Sequence, residues 1–168
     1  ENVGEEVYVH ILNHAKKYVH IMTPYLIIDQ SMITALTFAA KRGVDVKLIL
    51  PHIPDKKFAF ALAKSHYKEL LKAGVRIYEY TPGFVHAKIF TSDDEKAVVG
   101  TINLDYRSLY LHFECAAFLY QVEEIAEIEK DFQRTLEECQ EVTLENRKEG
   151  TFFLRLEGWL LKWLAPLM

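Results

Sequence analysis

Residues 86–103, HAKIFTSDDEKAVVGTIN, gather the side chains in this 168-residue chain most able to do chemistry: His86, Lys88, Asp93, Gly100, Thr101 and Asn103. An imidazole attacks phosphorus as a nucleophile when neutral, and gives or takes a proton near neutral pH. An ammonium and a carboxamide stabilise charge on the non-bridging oxygens of a phosphate. Such a set can hold and attack a phosphate without a metal ion. Alternation along a strand puts His86 and Lys88 on one face, with Val85, Ala87 and Ile89 on the other, the core side. Their Cα atoms are then about 6.6 Å apart, room for one phosphate between the two tips. Asn103 follows a Gly-Thr pair that lets the backbone come close.

Elements that could position this string are legible on either side of it. Residues 4–17, 30–42 and 56–73 carry helical apolar patterns, the second followed by Gly43 and the third by Gly74 as C-cap signals. Residues 18–23, 44–50 and 75–80 read as short strands, each stopped by a proline within two residues. Strands at 85–91 and 96–100 join through Ser-Asp-Asp-Glu, a hairpin turn by composition. A further strand at 112–120 and an acidic amphipathic helix at 122–140 complete the pattern. Helices alternating with β-branched strands predict an α/β fold, a mixed β-sheet flanked by helices on both faces. Length and the absence of repeats or linkers predict one domain over residues 1–168.

Composition narrows the function classes. Half of the chain is apolar, a quarter is charged, and the net charge is −4. That mild acidity argues against a nucleic-acid partner, which usually needs a basic footprint. Cys115 and Cys139 have no metal-ligand spacing and predict no disulfide framework, which fits a reducing compartment. No signal peptide and no long uninterrupted apolar run is visible, so the chain as given is expected to be soluble or peripheral.

The spacing HxK-x4-D-x6-G(S/T)xN, filled at every constrained position by His86, Lys88, Asp93, Gly100, Thr101 and Asn103, resembles the signature of the phospholipase D superfamily. Threonine stands where many members have serine, and keeps the hydroxyl. TPYLIID at 23–29 and the stretch 85–114 are similar to bacterial cardiolipin synthases in particular. The resemblance implies a phospholipid phosphatidyltransferase. It would move a phosphatidyl group from one phosphatidylglycerol to the terminal hydroxyl of another, releasing glycerol, through a phosphohistidine intermediate. His86 would form that intermediate or act as the acid/base opposite it, and we favour the acid/base role. Lys88 and Asn103 would bind the phosphate, Asp93, counted with the catalytic set, would chiefly hold the hairpin, and Glu114 would hydrogen-bond the histidine and orient it. No cofactor and no metal is implied. The superfamily builds its site from two such motifs and this chain has one. It is therefore expected to be the C-terminal half of a longer enzyme at the cytoplasmic side of the cell membrane, or a subunit that pairs with a second copy. Two readings from other classes stand beside it: a phosphodiesterase or nuclease working as a homodimer, and a non-catalytic membrane-docking or assembly module.

Other residues carry weaker expectations. Gly100, Thr101, Arg107 and Tyr25 are candidate substrate contacts. Arg107 could equally pair with Asp105 or Glu114, and Tyr25 and Asp29 follow a strand end, where α/β proteins place ligands. Asp93-Asp94-Glu95 lacks the spacing of a calcium loop and reads as a solvated turn. His10 and His14 have the i, i+4 spacing of helical metal ligands but no third ligand nearby, and read as surface residues. His112 reads as structural. The tail at 151–168 is amphipathic as a helix, with Trp159 and Trp163 one turn apart. It suits packing against protein somewhat better than a lipid interface, and peripheral membrane contact is expected of the enzyme.

Overall fold

The computed structural model describes residues 2–146. The chain runs α1 (Val3–His14), β1 (Tyr18–Met22), β2 (Leu26–Ile27), α2 (Gln30–Lys41), β3 (Asp45–Pro51), α3 (Lys57–Ala73), β4 (Arg76–Tyr80), β5 (Ile89–Ser92), β6 (Lys96–Gly100), β7 (Leu104–Asp105), a single π-helical turn (Arg107–Leu111), β8 (Ala116–Tyr120), α4 (Glu124–Glu137) and β9 (Cys139–Val142). The amphipathic tail at 151–168 lies outside the described residues.

Seven strands form one mixed sheet in the order β8-β6-β5-β1-β3-β4-β9. The β1, β3 and β4 strands are parallel, the product of helical crossovers. The β5–β6 hairpin lies antiparallel beside β1, with Ile21 opposite Phe90. Alternation along β1 divides the core. Val19 and Ile21 point into a cluster with Tyr8, Leu12, Leu36 and Tyr67 from the first three helices. Met22 points to the other face, where Val85 and Phe132 of α4 meet it. The sheet is therefore covered by helices on both faces.

His20 shares the α4 side and is buried. Its ring is stacked between Tyr18 and Phe132, with centroids 4.4 and 4.8 Å away, and its Nδ1 lies 2.7 Å from Glu129 Oε1. The Thr91 hydroxyl donates to the other Glu129 oxygen at 2.6 Å. This buried polar network clips α4 to β1 and β5, and satisfies groups that would be costly if left unpaired.

Local chemistry explains the borders. Gly74 ends α3 with φ of 98°, and its N–H caps the Leu70 and Leu71 carbonyls, a left-handed position that favours glycine. Asp29 caps α2 by accepting the Met32 N–H at 2.9 Å. The β5–β6 hairpin closes through Asp93 and Asp94, at φ of 57° and 59°, the primed-turn conformation matching strand twist. At the other end of that hairpin β6 comes close to β8. A Cβ added to Gly100 would overlap the Cys115 carbonyl oxygen and lie 2.5 Å from Ala116 Cα.

The first helix, expected to reach 17, ends at His14, and three further borders differ from expectation. The β5 ladder begins at Ile89 rather than 85, so His86 and Lys88 precede it, with the Lys88 carbonyl accepting the Gly100 N–H at 3.3 Å. The strand expected from 112 begins at Ala116. The helix expected to reach 140 stops at Glu137, and Cys139–Val142 turns back as β9 beside β4. In these last three cases pairing partners, not local pattern, set the limit. β8 forms one edge of the sheet, and Phe118 and Tyr120 on it are 50% and 53% exposed.

The Asp93 carboxylate is the anchor of the hairpin. Oδ2 accepts the Lys16 N–H at 2.7 Å, and Oδ1 accepts those of Lys17 and Tyr18 at 2.8 and 2.9 Å. Burial alone would raise its pKa, but these three donors outweigh it and hold the carboxyl below the usual range. A folded pKa below the unfolded one means that the stabilisation is complete above about pH 4 and is lost as pH falls through the native value below that. Asp93→Asn, which tolerates the left-handed backbone, should cost about 2 kcal/mol at neutral pH. Urea unfolding of both proteins from pH 7 to pH 2 should show that difference shrinking in acid. Gly100→Ala should cost about 3 kcal/mol by overpacking, read in the same titration at pH 7.

Candidate active site

The functional string folds into two approaches to one cleft. Val85, Ala87 and Ile89 pack against Met22 and Phe132 in the α4-side core. This turns His86 and Lys88 away from the core, as strand alternation predicts, although they precede the β5 ladder. On the return, β6 ends at Gly100, and Ile102 accepts a bond from the buried Tyr8 hydroxyl at 3.2 Å. Asn103 then leads into β7, which pairs in parallel with β2, Leu26 opposite Leu104 and Ile27 opposite Asp105. The Leu104 N–H also donates to Thr23 Oγ1 at 3.3 Å. The TPYLIID stretch thus contributes a short strand that fixes the backbone beside Asn103.

His86, Lys88, Val99, Gly100, Thr101 and Asn103 line an open cleft of about 530 Å³. Lys88 Nζ stands 3.0 and 3.1 Å from the two His86 ring nitrogens and donates to the His86 carbonyl at 2.6 Å. Burial lowers the Lys88 pKa below the usual lysine value, although the Glu114 and Asp105 carboxylates pull the other way. Phe84 leans over the imidazole with ring centroids 5.8 Å apart. Chemically, this is an exposed imidazole beside a partly desolvated ammonium, with hydroxyl and carboxamide groups on the facing wall.

Glu114 meets Thr101 rather than His86. The Thr101 hydroxyl donates to Glu114 Oε2 and accepts the Cys115 N–H at 3.0 Å. The carboxylate takes the hydroxyl brought to it by the close approach at Gly100. Asp93 lies at the far end of β5, four residues and about 13 Å of strand from Ile89, with its oxygens filled by backbone N–H groups. Tyr25 donates from its hydroxyl to Asp55 at 2.5 Å and reaches the site only through Phe84, 6.5 Å away between ring centroids. Arg107 opens the π-helical turn, exposed, and forms no ion pair with Asp105 or Glu114 among the described residues. His112 ends that turn, its N–H bonded to the Arg107 carbonyl at 2.8 Å. His10 and His14 stack on each other on α1, away from the cleft. No group of three or more His, Cys, Asp or Glu side chains able to hold a metal occurs among the described residues.

Sequence reasoning missed Ser108 and the electrostatic reach of Asp105. Ser108 is buried and lies 3.1 Å, through Oγ, from Asn103 Nδ2. A serine just before the apolar stretch Leu-Tyr-Leu was the available signal.

The fold is that of the phospholipase D family member Nuc from Salmonella typhimurium, with a TM-score of 0.72 at 17% identity over 83% of this chain and 90% of that one. Residues 8–136 match the family described as cardiolipin synthase, PLD-like domain. The chain belongs to that family. The cardiolipin synthase of Halalkalibacterium halodurans is 37% identical over 99% of this chain, and that of Clostridium perfringens SM101 is 42% identical over 96%. The chain spans about a third of the length of these relatives, 33% and 34%. No helix among the described residues is long and apolar enough to cross a membrane.

The Lys88 surroundings make a measurable statement. A carbon-detected NMR titration of its ε-methylene should give a midpoint below the ordinary lysine value of about 10.4. Glu114→Gln removes a carboxylate that favours the ammonium, so it should lower that midpoint further.

Proposed function

We propose that this chain supplies one half of the active site of a cardiolipin synthase, transferring a phosphatidyl group between two phosphatidylglycerol molecules. The observation that carries the reading is the cleft itself. His86, Lys88, Thr101 and Asn103 converge there from both arms of one hairpin, in a chain that belongs to this family.

In the proposed sequence, a histidine from the second half attacks phosphorus in line. A P–N bond forms and the P–O bond to glycerol breaks. His86, protonated, gives its proton to the leaving glycerol oxygen. The terminal hydroxyl of a second phosphatidylglycerol then loses its proton to His86 and attacks the phosphohistidine. The P–N bond breaks, cardiolipin leaves, and both histidines return to their starting states. Covalent catalysis divides one hard displacement into two. Lys88 and Asn103 stabilise the charge that gathers on the non-bridging oxygens. Glu114, bound to Thr101 in this half, is poised beside the cleft to orient a histidine once the second half is in place.

The second half is either another part of the same polypeptide or a second copy of this chain. A homodimeric phosphodiesterase is favoured by one observation, the single motif in a chain that matches 90% of Nuc. The higher identity to the cardiolipin synthases favours the transferase. Lipid substrates also make peripheral membrane contact part of the proposal.

The test is phosphatidylglycerol turnover by the protein as its host makes it, with cardiolipin and phosphatidic acid separated. Cardiolipin should dominate. His86→Ala should lower turnover by about a thousandfold. Unchanged synthesis in that variant would remove the catalytic reading. Phosphatidic acid as the sole product would replace transfer with hydrolysis.

A further inference from the structure

We propose that the stretch 52–58, together with Phe84, docks on an anionic lipid surface, so that the cleft opens beside the bilayer that holds its substrate. This rests on the phospholipid reading above and names the surface through which membrane contact is made.

Topology puts this surface next to the site. Strands β1, β3 and β4 run parallel, so the chain leaves all three at one end of the sheet. β5 is antiparallel to β1 with Ile89 opposite Met22, so His86 and Lys88 stand at that same end. Ring contacts join the pieces. Lys56 Nζ sits 5.4 Å over the Tyr25 ring, Tyr25 and Phe84 are 6.5 Å apart between centroids, and Phe84 is 5.8 Å from the His86 ring. Ala59 and Leu62 of α3 pack with Ile27, beside Tyr25.

Two kinds of side chain are exposed there. Ile53 is 53% exposed, Phe58 54% and Phe84 37%. Lys56 and Lys57 stand between the first two, exposed, and form no ion pair among the described residues. Asp55, the one carboxylate between 52 and 68, accepts the Tyr25 hydroxyl at 2.5 Å. α3 opens with no acidic residue in its first turn, so the positive end of its dipole adds to the two ammonium groups. From 52 to 72 the chain holds five lysines and two carboxylates, a local sign opposite to the net charge of −4. Apolar tips flanked by lysines suit a bilayer surface. The side chains of Ile53 and Phe58 enter the headgroup boundary, and the ammonium groups meet lipid phosphates. A protein partner fits less well, because covering this surface would strip water from two unpaired ammonium groups, and lysine is depleted from protein interfaces.

The experiment uses the protein as its host makes it and presents phosphatidylglycerol in two forms: in vesicles, and as the short-chain dihexanoyl lipid below its micelle concentration. Ile53→Ser/Phe58→Ser and, separately, Lys57→Glu should each lower vesicle turnover roughly tenfold and leave turnover of the short-chain lipid unchanged. Lys57→Arg should keep both. Full vesicle turnover in either of the first two variants overturns the proposal. Equal loss on both presentations also overturns it, and assigns the surface to protein contacts with the second half, a second copy or the tail. Peptide-resolved amide hydrogen exchange of the unmutated protein tests the same surface without a variant or an activity. Phosphatidylglycerol vesicles should protect residues 52–60. No protection, or equal protection by phosphatidylcholine vesicles, overturns the proposal. His86→Ala should lose turnover of both forms and keep the protection. Retained turnover there removes the catalytic reading and leaves the exchange result standing.

Discussion

One carboxylate underlies the geometry of the site. Asp93 accepts three consecutive backbone N–H groups at the junction of α1 and β1, and so ties the tip of the β5–β6 hairpin to the first central strand. A hairpin alone is marginal in water. Fixed at its tip and laddered along β1, it becomes a rigid arm. The cleft lies at the opposite end of that arm, so His86, Lys88 and Asn103 inherit their placement from bonds made about 13 Å of strand away. The third fixed position of the motif, Asp93, is thus read most simply as mechanical.

Much of this could be read from the sequence, and the reasons are physical. The alternation that turns His86 and Lys88 away from Val85, Ala87 and Ile89 survives even though residues 85–88 precede the β5 ladder. It depends on burial of one face, which the apolar pattern encodes directly. The glycine of the motif was legible for the same kind of reason: only a missing Cβ lets β6 approach Cys115 and Ala116. Long-range choices were not legible. Cys139–Val142 reads as the end of a helix until β4 offers an edge to pair with. The partner of Glu114 is a choice between a histidine and a hydroxyl, decided by how close β8 comes to β6. Ser108 reads as an ordinary polar residue until the chain after β7 brings its hydroxyl within 3.1 Å of Asn103.

The two walls of the cleft have different mechanical characters. The His86 wall precedes the β5 ladder and is held mainly by side-chain packing, under Phe84 and over the α4 core, with one backbone bond from the Gly100 N–H to the Lys88 carbonyl at 3.3 Å. The Asn103 wall is held by backbone bonds: the β2–β7 pair, the Tyr8 hydroxyl on Ile102, and Thr23 on Leu104. Backbone hydrogen bonds fix position more sharply than apolar contacts, which are non-directional. A group that recognises a phosphate oxygen gains from the sharper mounting. A group that passes a proton or accepts phosphorus gains from some freedom.

The exposed edge strand has a practical meaning. Among the described residues no strand pairs with the outer side of β8, and Phe118 and Tyr120 stand half exposed there. An open apolar edge is a template for any other strand, and charge or a bulge is the usual protection. Ala116–Tyr120 has no charged residue. For this polypeptide prepared by itself, β8 is the strand most open to adding another, and a lysine at position 118 or 120 is the rational place to begin making it tractable.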